Sequence, residues 1–113
     1  MPHKTFHLQA DQIKPIAVGY GACLASDRIT VDGAPVGYCY RESPDLPEDS
    51  GWRFLAGDET QDYADNPDNW SYYDINTIAN YDPGIALVLG APVGAEFERG
   101  ESGQLVPALP GGE

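Results

Sequence analysis

The chain is poor in positive charge: six lysines and arginines face eighteen aspartates and glutamates, a formal net charge of -12. That deficit excludes the basic stripe with which a protein follows a phosphate backbone, and it repels nucleic acid and anionic lipid alike. A basic protein surface, a cation or bulk solvent remain as counterparts. Cysteine is equally scarce. Cys23 and Cys39 are too few for a disulfide scaffold, and each lies in an apolar run, so they read as buried free thiols. They form no Cys-x-x-Cys pair, which leaves structural zinc and thiol redox chemistry unsupported. No apolar run nears the ~20 residues that span a bilayer. The opening Met1 to His7 also lacks the apolar core of a secretory leader, so a cytoplasmic address is expected.

Catalytic signatures are missing too. No Gly-x-Ser-x-Gly elbow or phosphate-cradling glycine loop occurs, and Gly19-Tyr20-Gly21 lacks the third glycine of a dinucleotide fingerprint. His3 and His7 stand four apart with no glutamate or cysteine at ligand spacing. A carboxylate pair such as Asp58 with Glu59 is capable of acid–base work, but a chain this acidic brings such pairs together by chance. Asp45, Asp49 and Gly51 miss the spacing of a calcium loop, and Asp58 to Asp68 holds no glycine for the sharp turn that such a loop needs. Binding, without catalytic residues, cofactor or metal, is therefore the expectation. A divalent-cation module on the acidic loop and a small carboxylate enzyme stay as alternatives.

What is present is enough for one core. At 113 residues, 42% of them hydrophobic, the chain suits a single domain. We expect a polar lead over 1–15, a domain over 16–106 and a frayed tail over 107–113. Small and apolar residues from Ile16 to Ser26 predict a buried strand. Alternation on either side of Asp32-Gly33, from Ile29 and Val31 to Val36, Tyr38 and Tyr40, predicts a hairpin. Gly51 to Gly57 predicts a third strand, with Trp52 and Phe54 on one face and Arg53 and Leu55 on the other. Asp58 to Asn69 reads as an acidic loop, and Trp70, Tyr72 and Tyr73 as a short strand. Asp74 then caps a helix from Ile75 to Tyr81, Asp82-Pro83 opens a second short helical or apolar segment through Leu89, and Ala95 to Arg99 and Gln104 to Val106 form the last strands. The sum is an α+β domain: a mostly antiparallel sheet with one or two short helices packed on one face.

Several strings in this order resemble a known family. They are Ser26-Asp27-Arg28-Ile29, Val36 to Glu42, Asp49-Ser50-Gly51-Trp52-Arg53-Phe54, Gly57-Asp58-Glu59, Asp65-Asn66-Pro67-Asp68-Asn69 and Asn76 to Pro83. Over roughly residues 20 to 100 they are similar to the bacterial immunity protein family thirty-three of polymorphic toxin systems. The resemblance implies a protein that binds and neutralises a cognate toxin, and it carries no catalytic residue over. It draws attention to Trp52, Arg53, Asp58, Glu59, Asp65, Asn66 and Asp68. With Asp62 and Trp70 from the same stretch, these make the expected partner-binding set. Tryptophan and arginine are frequent interface anchors, and a strongly acidic face speeds encounter with a basic partner.

Overall fold

The computed structural model describes residues 5–44 and 46–108. Within them the chain forms β1 (Ala22–Ser26), α1 (Asp27–Thr30), β2 (Tyr38–Arg41), β3 (Asp49–Leu55), α2 (Gln61–Asp65), β4 (Trp70–Asp74), α3 (Ile75–Tyr81), β5 (Glu96–Arg99) and β6 (Leu105–Pro107). Single 3-10 turns lie at Ala10–Gln12, Pro67–Asn69 and Pro83–Leu87. The six strands make one sheet in the order β4-β1-β3-β2-β5-β6. Every pairing is antiparallel except β1 with β3, so the α+β expectation holds.

Alternation along the central strands places the core. Cys23 and Ala25 of β1, Cys39 of β2, and Trp52 and Phe54 of β3 turn to the same side, where Ile29, Ile75, Ile78, Ala79 and Ile85 cover them. Trp52 and Phe54 stack with ring centroids 5.9 Å apart and an interplanar angle of 9°. The Trp52 indole N–H donates to the Leu89 carbonyl at 3.3 Å, satisfying the one polar atom of a fully buried ring. The Asp74 carboxylate accepts from the Asn76 N–H at 2.8 Å, giving α3 its N-terminal cap at the predicted residue.

Two expectations near the start of the domain are corrected. The strand predicted from Ile16 begins only at Ala22, and Ile16 and Val18 are exposed. The Asp32-Gly33 hairpin does not form. Ser26 Oγ instead accepts from the Arg28 N–H at 3.1 Å and turns β1 into α1, burying Ile29. Gly33, at φ +81°, then closes the C-terminal end of that turn by donating to the Ile29 carbonyl. A glycine with positive φ suits a hairpin and a helix end equally, and the serine cap decides between them. The stretch from Asp58 to Asn69 also departs from a plain loop, because Thr60 and Asn66 cap α2 and the following 3-10 turn.

The lead is laid against α3. Asn76 Oδ1 accepts from the Ile16 and Ala17 N–H groups at 2.7 and 2.8 Å, Asn80 Oδ1 from Lys14 at 2.9 Å, and the Tyr81 hydroxyl from Leu8 at 3.0 Å. His3, Asp45 and most of the expected tail lie outside the described residues.

Candidate functional site

α1 and α3 cover one face of the sheet, and among the described residues the other face is largely open. Residues of β1 to β5 that alternate with the core face this open side: Leu24, Tyr38, Tyr40, Arg53, Leu55, Tyr72, Glu96 and Glu98 fall on it by register. α2 and its 3-10 turn fold over one end. Between them and the strands runs a groove of about 600 Å³, walled by Leu24, Tyr40, Leu55, Pro67, Trp70 and Tyr72, with Arg53 and Asp65 also lining it.

Arg53 is the anchored element of this face. Its Nη1 and Nη2 donate to the two Asp49 oxygens at 2.9 and 2.7 Å, and its Nε donates to Glu42 Oε2 at 2.6 Å. A planar fork of donors matched to a carboxylate is the geometry in which arginine binds best. The Arg53 guanidinium holds the Asp49 carboxyl below the usual carboxylate range, and the two carboxylates push the guanidinium up. Gly51 makes room for Glu42 at the edge. It takes φ +92°, and a Cβ there would sit 2.1 Å from the Glu42 carbonyl oxygen.

Of the expected partner-binding residues, Trp52 lies in the core at 1% exposure and reaches no surface. Arg53 lies beneath the groove. Asp58 is exposed and tied to α1: it accepts from Arg28 Nη2 at 2.7 Å and from Nε at 3.1 Å, and this neighbour keeps its carboxyl below the usual range. Glu59 folds back on its own loop, accepting from the Ala56 and Gly57 N–H groups at 2.8 and 2.9 Å. Asp62 stands exposed in the first turn of α2, and Asp65 accepts from Gln61 Nε2 at 2.8 Å. Asn66 caps the 3-10 turn through the Asp68 N–H at 3.0 Å, and Asp68 is exposed. Trp70 is half-buried, its indole N–H bound to the Ala64 carbonyl at 3.0 Å. The structure thus gathers Arg53, Asp65 and Trp70 around one groove, with Asp62, Asn66 and Asp68 on the segment that bounds it. Asp58 and Glu59 belong to the preceding loop.

Leu24, Tyr40, Leu55 and Tyr72 were not among the expected residues. One signal for them is present in the chain. Leu24, Leu55 and Tyr72 are apolar or aromatic at strand positions that alternate with the core side, and the predicted helices suffice to cover only one face.

Among the described residues no three histidine, cysteine, aspartate or glutamate side chains are placed to hold a metal ion, which leaves the cation-module alternative without a site there. Every described arginine is spent inside the molecule. Arg28 holds Asp32 and Asp58, Arg41 the Ser50 and Ala91 carbonyls, Arg53 Asp49 and Glu42, and Arg99 Asp82 and the Val36 carbonyl. No helix among the described residues is long and apolar enough to cross a membrane.

No curated protein and no solved structure matches the chain. A family model described as the Immunity protein Imm33 domain does match residues 23–108, from β1 through β6. Since that match spans well over half of the chain, the protein belongs to the Imm33 immunity protein family.

Proposed function

We propose that this protein is a cytoplasmic immunity protein that binds a cognate protein toxin and neutralises it through the acidic face bounded by α2, without catalysing a reaction. The observation that carries the reading is the membership of residues 23–108 in an immunity family, whose role implies a protein partner. The surface charge supports the choice of partner. The described arginines are consumed by internal hydrogen bonds, while the α2 segment concentrates Asp62, Asp65 and Asp68, three of the carboxylates behind the net charge of -12. Such a field draws a cationic protein in and sets its rate of encounter, whereas anchors such as Trp70 set how long it stays. Arg53 and Trp52 contribute from below, by holding the strands that carry the face.

The test is co-expression with the toxin encoded beside the gene. Restored growth and a stable co-purified complex are the expected outcome. Growth arrest undiminished by the protein, with no complex on mixing the purified partners, overturns the reading.

A further inference from the structure

Among the described residues nothing covers the open face of the sheet beyond α2, and its groove is aromatic and apolar rather than merely acidic. Tyr72 is 55% exposed, and Leu24, Tyr40, Leu55 and Trp70 are each partly accessible around it. A concave, mostly apolar cleft with a few charged groups at its rim is the usual form of a binding site. Charge identifies the occupant. The cation in the groove, Arg53, is held by two carboxylates, so the Asp49–Arg53–Glu42 group has a net charge of -1. Asp65 stands in the wall, and across the β2–β5 pairing Glu96 lies opposite Tyr40 and Glu98 opposite Tyr38 on the same face.

We infer that this groove receives a segment of the partner protein in which apolar side chains alternate with arginine or lysine. The apolar side chains enter between Leu24, Leu55 and Tyr72. The cationic ones reach Asp65, Glu42 and Glu96, and the faces of Tyr40 and Trp70 favour a guanidinium or ammonium over any anion. A second copy of this chain is a poor occupant, because two molecules of net charge -12 repel. The inference rests on the toxin-binding reading and adds where the toxin lands and with what chemistry.

The test is a titration of the full chain, followed by amide NMR shifts, with three peptides of the same length. One alternates leucine with arginine, one replaces the arginines by glutamate, and one replaces the leucines by serine. The leucine–arginine peptide is expected to shift the amides of Leu24, Tyr40, Leu55, Trp70 and Tyr72. Tyr72→Ala and Asp65→Lys, both at exposed positions, are expected to weaken it by about tenfold or more, as loss of an interface anchor does. Glu101→Lys, in the turn between β5 and β6, leaves affinity within about twofold. Equal binding of the serine–arginine peptide, shifts elsewhere on the molecule, or a dimer that buries these residues each overturns the inference. If Tyr72→Ala and Asp65→Lys still neutralise the toxin fully, the groove falls and the toxin reading stands. If the peptide binds the groove but no toxin is neutralised, the toxin reading falls and the groove stands.

Discussion

Asp49 and Arg53, four residues apart on β3, close a two-pronged ion pair at 2.9 and 2.7 Å with only 3% and 5% of their side chains exposed. Two charges are tolerated there because the fork satisfies both carboxylate oxygens, and the Gly51 N–H adds a third bond to Asp49 at 2.9 Å. Removing Arg53 leaves Asp49 buried without a counter-charge, and removing Asp49 leaves the buried Arg53 with Glu42 alone. Arg53→Ala or Asp49→Ala is expected to cost about 3–5 kcal/mol. The double variant should cost less than the sum by at least about 1 kcal/mol, measured by urea unfolding. Strictly additive losses would mean that the pair is not coupled.

Gly51 lies between these two residues with φ +92° and its Cα turned toward the Glu42 carbonyl. A methyl group there meets backbone, which has no rotamer to escape into. Gly51→Ala is expected to lower stability by more than about 1 kcal/mol, seen as a reduced thermal midpoint. An unchanged midpoint would show that the strand can shift away from Glu42.

Stability should fall at both ends of the pH scale. Asp49 and Asp58 have carboxyls held below their unfolded value, chiefly by Arg53 and Arg28, so their contributions are present above about pH 4 and disappear as acid protonates them. Tyr38 and Cys39 are pushed up to about 12, mainly by burial. Their contributions are complete below the unfolded values, about 10 and 8.5, and are lost as pH rises toward 12. Chemical unfolding across pH should therefore show a plateau bounded on both sides. A steady rise in stability from pH 8 to pH 11 would contradict the burial of these groups.

The two thiols should be inert in the folded protein. Cys23 and Cys39 are free, fully buried, and on strands separated by β3. Burial raises both thiols and so removes the reactive thiolate. A thiol reagent at pH 8 is expected to modify neither until the chain unfolds, and then both. Rapid modification of native protein would show that the sheet opens.

Association with the toxin should depend on charge at the α2 segment. Asp62→Lys combined with Asp68→Lys, both at exposed positions, is expected to slow association by about tenfold at low salt while the dissociation rate moves little. The thermal midpoint should stay in place, since exposed charges contribute little to folding. Stopped-flow mixing at two ionic strengths separates the effects, and a salt-independent association rate would remove electrostatic steering from the account.

Local chemistry made much of the fold legible. Asp74 ahead of Ile75, Ile78 and Ala79 spelled out α3 to the residue, and Asp82-Pro83 the 3-10 turn after it. Trp52 and Phe54 announced the buried side of β3 because strand alternation is a period-two rule. The Asp32-Gly33 pair misled. Its glycine needs positive φ in either structure, and Ser26, seven residues earlier, held the deciding cap. The family resemblance puts Trp52 in the partner-binding set while strand alternation groups it with Phe54 on the buried side of β3, and its 1% exposure beneath the helices leaves it in the core.

From the sequence alone follow the α+β class, the excess of carboxylates, the family strings and the absence of a thiol framework, because each depends on residue type or on spacing within a few positions. Only the tertiary structure decided which carboxylates are spent. Asp49 and Glu42 close on Arg53, Asp58 on Arg28, and Asp82 on Arg99, from pairs as far as 30 residues apart along the chain. It also decided that β1, β2, β3 and β4 present Leu24, Tyr40, Leu55 and Tyr72 to one groove. Strand order and register bring those residues together, and both are set by long-range packing that no local window of sequence contains.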